Sequence, residues 1–163
     1  MEIRPYQDND FEAVLACFNR SVREIAFRNY MPDEVEAWAP VSPDLDAWAR
    51  RLETGAVFLA VVEGQVGGFV RVEESGYVDL LYVDPAHERK GIGRSLLEFA
   101  SAWAVRHGAI RLESDVSISA RPLFQLMGFR VTEERFVERR GVVLKNFRME
   151  KNISAESVEG RAR

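Results

Sequence analysis

Apolar residues recur at three- and four-residue intervals over Phe11, Val14, Leu15, Phe18, Val22, Ile25 and Ala26. That spacing predicts an amphipathic helix running from a cap at Asp8 or Asp10 to about Tyr30. Before it, "EIRPY" reads as a short opening strand. After it, Pro32, Pro40 and Pro43 interrupt a segment holding Trp38 and Trp48, which predicts short helices joined by a loop. The pattern then changes. Three apolar runs over 56–83 are divided by "EGQ" and "EESG", the signature of an antiparallel meander with tight connections. A second helical face follows at Ile92, Leu96, Leu97, Phe99, Ala100, Trp103 and Ala104, with Gly108 as its stop. "AIRLESDVS" predicts a strand, "SARPLFQLM" a short helix closed by Gly128, and the stretch from Phe129 to Lys151 a hairpin turning at Arg140-Gly141. The result is a mixed α/β domain over residues 1–151. From Asn152 to Arg163 the residues are small, polar and aperiodic, and a flexible tail is expected.

The chain has 163 residues, enough to bury roughly 70% of its unfolded surface without disulfide or metal support. Its net charge of −4 argues against general nucleic-acid binding. No run approaches the length of a membrane span, and the opening residues have no signal-peptide core. With Cys17 as the single cysteine, a cytoplasmic protein is expected. Cys17 itself, among Val14, Leu15 and Phe18, reads as a core residue. No His, Cys or carboxylate set has metal-ligand spacing, so no metal is expected.

One stretch carries chemistry: "LYVDPAHERKGIGRSLL", residues 81–97. Pro85 ends a strand, and a helix begins at Gly91 or Ile92. Helix starts point unpaired N–H groups and partial positive charge at whatever lies before them. Gly91 and Gly93 let an anion approach the backbone, and Arg89, Lys90 and Arg94 add charge. Either this is an anion site, most naturally for a pyrophosphate, or it is a solvated turn with a basic cap. A dinucleotide fingerprint would need glycine where Leu96 stands, and a P-loop would need Gly-Lys-Ser/Thr at the helix start.

The same stretch closely resembles the acetyl-CoA pyrophosphate motif of the GNAT superfamily of N-acetyltransferases, Gln/Arg-x-x-Gly-x-Gly/Ala. "SISARPLFQLMGF" resembles the family's second motif, and the order of elements matches over about residues 1–150. "AWAP", "SISARPLF" and "VERRGVVLKNFRMEK" resemble a bacterial subgroup labelled YafP-like. The resemblance implies a GNAT-type acyl-CoA N-acyltransferase fold, a central, mostly antiparallel sheet flanked by helices. It implies acetyl-CoA as donor and a small-molecule or peptide amine as acceptor, with no metal, membrane or nucleic acid. Backbone groups of Leu81, Tyr82 and Val83 would pair with the pantetheine arm. Those of Arg89, Lys90, Gly91, Ile92, Gly93 and Arg94 would hold the pyrophosphate. Ser117 stands where the family often has Asn near the pantetheine end.

Two residues depart from the pattern. Glu88 occupies the Gln/Arg position, where a carboxylate about 4 Å from phosphate costs roughly 1 kcal/mol in water and about 4 at intermediate dielectric. An outward turn and a pair with Arg89, Lys90 or Arg94 would relieve it. Phe124 replaces the Tyr that protonates the leaving thiolate in many members. For a base, Asp79 comes first, with Glu113 and Asp115 next. Strand alternation puts Asp79 with Leu81 and Val83, opposite Leu80 and Tyr82. Tyr30 and Trp38, with Trp48, fall in the region that covers the acceptor pocket in this family. Besides N-acetyl transfer to a primary amine, Phe124 leaves open an acyl-CoA sensor, and another short acyl donor is a third reading. The C-terminal hairpin offers an edge for a second copy.

Overall fold

The computed structural model describes residues 1–153. β1 (Glu2–Pro5) leads through a tight turn at 8–10 into α1 (Phe11–Arg20). Asp10 directs its carboxylate away from the helix, to Arg4 at 2.8 and 2.9 Å and to the Gln7 N–H at 2.9 Å. These contacts, Arg4 foremost, hold its pKa below the ordinary carboxylate value. The expected helix does not stay regular to Tyr30. Past Arg20 the coil widens, with the Ala26 N–H reaching Ser21 O, and then tightens over 26–28. Widened turns of this kind re-aim the residues that follow them. α2 (Pro32–Trp38) begins with Pro at its first position, and α3 (Leu45–Glu53) is capped by Asp44, which accepts from the Ala47 N–H at 3.0 Å.

The meander forms as its pattern predicts: β2 (Ala56–Val62), β3 (Gln65–Val72) and β4 (Val78–Val83) add to β1 in the order β1-β2-β3-β4. α4 (Ile92–Arg106) follows. β5 (Arg111–Ser117), α5 (Arg121–Leu126), β6 (Arg130–Arg139) and β7 (Val142–Asn152) complete the described chain, with a second sheet in the order β5-β7-β6. All pairing within each sheet is antiparallel. β6 is the outer strand, and its far edge, where a second copy was expected to pair, has no partner strand among the described residues.

The two sheets meet at one place. β4 and β5 run parallel and touch through a single bridge, Tyr77 to Glu113. It is backed by the Glu113 N–H on Gly76 O at 3.1 Å and by the buried Ser114 hydroxyl on Val78 O at 2.7 Å. Beyond Ser114 no bridge joins the strands among the described residues, and they part.

Apolar residues fill two cores on opposite sides of the first sheet. Val78, Leu81 and Val83 belong to the core under α4 and α5, whereas Leu80 and Tyr82 belong to the core under α1 and α2. The register pairs Arg71 with Leu80 and Val72 with Val78, so Asp79 is an extra, bulged residue. Simple alternation therefore fails here. The bulge moves Asp79 to the side of Leu80 and Tyr82, not that of Leu81 and Val83.

α4 can lie close on β3 because Gly67 and Gly68 carry no side chains. A Cβ on Gly68 would stand 2.8 Å from Tyr82 O and 3.0 Å from Ile92 Cγ2. At the far end, β7 continues through Asn152, and the Ile153 N–H donates to Ile110 O at 3.0 Å. Regular structure thus passes the boundary expected at residue 151. The rest of the expected tail, 154–163, lies outside the described residues.

Gly68→Ala is expected to cost about 2–3 kcal/mol, because backbone and helix must both give way. Gly64→Ala has open space but a φ of +78°, and should cost only about 1 kcal/mol. Chemical denaturation of the two variants checks this, and the reverse order would contradict the packing.

Candidate active site

β4 ends at Val83, and the next residue, Asp84, is almost wholly buried. Its carboxylate accepts the Ala86 N–H at 2.9 Å and pairs with Arg20, pinning the chain as it turns over 85–87. Arg89 (φ +63°) and Gly91 (φ +79°) then curl the loop into α4. The first intrahelical bond runs from the Ser95 N–H to Gly91 O, so the N–H groups of Ile92, Gly93 and Arg94 have no acceptor within the helix. The two glycines differ in role. A Cβ on Gly91 would meet nothing within 4 Å, which leaves open space before the helix start. A Cβ on Gly93 would stand 2.9 Å from Leu123 Cδ2, so that glycine serves packing against α5. Arg94 directs its side chain along the helix to Glu98 at 3.2 Å.

The edge of β4 is equally specific. The Asp84 N–H donates to Gly67 O at 2.9 Å, and Tyr82 lies opposite Phe69. Alternation then directs the backbone groups of Tyr82 to β3 and those of Leu81 and Val83 to the gap beside β5. Of the three residues expected to pair with a pantetheine arm, Leu81 and Val83 therefore have main-chain groups free to do so.

On the α1–α3 side the parted strands open into a cavity of about 500 Å³. Tyr30 and Trp38 both line it, as do Trp48, Tyr77, Tyr82 and Ser117. The Tyr30 hydroxyl is fully engaged. It donates to Lys145 O at 2.6 Å and accepts from the Ile118 N–H at 3.0 Å, tying the segment after α1 to β7 and the end of β5. Burial pushes its pKa up. The Trp38 indole donates to the Tyr82 hydroxyl at 3.3 Å, and burial pushes that hydroxyl up to about 12.

Of the carboxylates lining this cavity, Asp79 and Asp115 are each held by two guanidinium groups. Asp79 accepts from Arg51 at 2.7 and 2.8 Å and from Arg71 at 3.1 Å. Asp115 accepts from Arg135 at 3.0 Å, from Arg148 at 3.4 Å and from the Tyr77 hydroxyl at 2.9 Å. Burial, then Asp115, pushes Tyr77 up to about 12. Glu113 pairs with Arg111 and Arg148, both ends of its carboxylate occupied, and is absent from the cavity wall. The pairing of Tyr77 with Asp115 escaped the sequence reading. So did the guanidinium partners, because they come from α3, β3, β6 and β7.

The acetyltransferase (GNAT) domain family matches residues 26–151 of the chain. The chain is also 35% identical over 150 residues to the uncharacterized N-acetyltransferase YafP of Escherichia coli K12, covering 91% of this chain and 94% of YafP. The chain belongs to the GNAT acetyltransferases. Among solved structures, a GCN5-related N-acetyltransferase from Rhodopseudomonas palustris superposes with a TM-score of 0.90 at 28% identity, covering 93% of this chain and 95% of that one. PaiA N-acetyltransferase from Thermoplasma acidophilum, solved with coenzyme A, shares the fold at a TM-score of 0.75 and 18% identity, over 93% and 98% of the two chains. The expected fold class and the N-acetyltransferase activity both stand.

Within this GNAT domain, the two departures have structural answers. Glu88 does turn from the helix start, but its partner is none of the three cations in its own loop. Arg28, from the turn after α1, grips it with two bonds at 2.7 and 3.1 Å. This contact lowers the Glu88 pKa, so the carboxylate is ionised and matched by a nearby cation. Phe124 is 2% exposed and packs edge-on against Phe129, which leaves no proton donor at that position. The Ser117 hydroxyl accepts the Ala120 N–H at 3.1 Å and starts the turn into α5. Among the described residues no group of three or more His, Cys, Asp or Glu could hold a metal ion, and no helix is long and apolar enough to cross a membrane.

Arg28→Ala should weaken acetyl-CoA binding by a few-fold, since it exposes an unmatched Glu88 carboxylate. Glu88→Gln should tighten binding slightly, and the double variant should return near wild type. The modest size follows from solvent screening of a surface pair. Calorimetric titration of the four proteins checks it; equal loss in the single and double Arg28 variants would contradict it.

Proposed function

We propose that acetyl passes directly from acetyl-CoA to a primary amine seated in the 500 Å³ cavity, with no acyl-enzyme between them. The parting of β4 and β5 carries this reading. The free N–H groups at the start of α4 and the free edge of Leu81 and Val83 suit the donor. The aromatic cavity opens onto the same gap, so donor and acceptor can meet there. Cys17, the sole thiol, is buried in the core under α1, and burial pushes it up to about 12, which disfavours a thioester on the protein.

The neutral amine adds to the acetyl carbonyl carbon, forming C–N and a tetrahedral oxyanion, which re-forms C=O as the C–S bond breaks and CoA leaves as thiolate. A main-chain N–H of β4, that of Leu81 first, is positioned for the transient oxyanion. Asp79 has three of its roughly four acceptor sites filled by guanidinium, and the remaining one can receive the amine proton. Its cations hold it in place beside the bulge that brings it to the cavity. Of the two carboxylates expected next, Glu113 has both oxygens engaged and is off the wall, which leaves Asp115 as second candidate. With Phe124 in the core, the thiolate leaves unprotonated and takes its proton from water, which an ordinary thiol pKa of about 8.5 permits.

Asp79→Asn should lower kcat/KM for amine acetylation by about 10²-fold, while Glu113→Gln should stay within about threefold. Free-CoA release with a panel of amines measures both. Equal losses would remove the assignment, and no CoA release with any amine would remove the transfer reading.

The pH dependence is also specified. Rate should climb with pH as the amine loses its proton, then level off without falling below about pH 10. Tyr77 and Tyr82, each pushed up to about 12, keep their protons throughout that range. A descending limb between pH 8 and 10 would reveal a general acid that this mechanism does not contain.

A further inference from the structure

We infer that the acceptor amine also carries an anionic group, and that Arg139 receives it. This rests on the proposed cavity as the acceptor site. On the wall, Asp79 and Asp115 each neutralise part of two guanidinium groups, and Asp44 is occupied in capping α3. Asp44 and Glu138 have no cation partner among the described residues, but Asp44 stands at the start of α3 with its carboxylate turned back on the Ala47 N–H. Along β6, Arg135, Val137 and Arg139 share one face by alternation, and all three line the cavity. Glu138, although it adjoins the cavity, alternates onto the opposite face with Phe136, which is 69% exposed.

Arg135 is matched by Asp115. The Arg139 side chain makes no hydrogen bond or ion pair among the described residues, yet its charge reaches the Tyr82 hydroxyl in the cavity. Its position opposite Val142, beside the turn of the hairpin, sets it at the mouth. Trp38, Trp48 and Tyr82 share the wall with that cation and with Asp79. A cation at the mouth, an aromatic wall and Asp79 as amine acceptor suit a molecule with an amine at one end, an apolar body and an anion at the other. Such a wall repels a polycation.

The test uses two probes of one size, 3-phenylpropionate and phenethylammonium, titrated by tryptophan fluorescence. Trp38 and Trp48 report from the cavity, whereas Trp103 stacks on His107 elsewhere. Wild type should bind the carboxylate about tenfold more tightly. Arg139→Glu should abolish that preference, and Arg139→Lys should keep most of it. Kinetically, 4-(2-aminoethyl)benzoate, with amine and carboxylate at opposite ends of the ring, should have a KM about tenfold below that of phenethylamine, with the difference lost in Arg139→Glu at little change in kcat. Equal binding of the two probes, or a preference that survives Arg139→Glu, would overturn the inference. If amines were acetylated without regard to an anion, this inference would fall and direct transfer would stand. If the carboxylate preference followed Arg139 but no amine were acetylated, the anion site would stand and direct transfer would fall.

Discussion

A pair of parallel strands that touch once and then separate governs this molecule. β4 and β5 are held at one end by the Tyr77–Glu113 bridge and by the Ser114 hydroxyl on Val78 O. Two sheet edges left unpaired in a partly buried gap are costly, about 1–3 kcal/mol for each unsatisfied group. The chain accepts that cost at Leu81 and Val83, where a donor with its own amide groups can satisfy them. The bulge at Asp79 sits just past the bridge. It lets one strand serve a core with one set of side chains and a cavity with another.

Either side of the gap is built to keep it open. α4 is held close to β3 by the absence of side chains at Gly67 and Gly68, so its N-terminus is fixed against the end of β4. Across the gap, Tyr30 joins β7 to the end of β5 through two hydrogen bonds. The guanidinium groups of Arg51, Arg71, Arg135 and Arg148 brace the carboxylates beside the opening. They also offset the negative charge of Asp79 and Asp115, so the same contacts that stiffen the site bias what enters it.

Features governed by neighbours in sequence were legible from the residues alone. Pro85, Gly91 and the apolar face from Ile92 to Ala104 disclosed the loop and its helix, and the meander followed from its period and dividers. Several of the misreadings involve partners distant in the chain. Glu88 finds Arg28 sixty positions earlier, a partner that no local pattern could suggest. Gly93 needs its small size because Leu123 arrives from another helix. An extra residue in a strand leaves the apolar rhythm almost unchanged, so Asp79 was assigned to the wrong face. Arg139 acquires meaning only when β6 is placed over the cavity by way of β7. Tyr30 and Trp38 do line the cavity, but the commitment of the Tyr30 hydroxyl to two backbone groups was not visible.

Amide hydrogen exchange, followed residue by residue by NMR with and without acetyl-CoA, tests the parted strands most directly. The N–H groups of Leu81, Val83, Ile92, Gly93 and Arg94 should become protected when acetyl-CoA is added, while that of Tyr82, already paired with β3, should change little. Unaltered exchange at Leu81 and Val83 in the saturated protein would contradict the account.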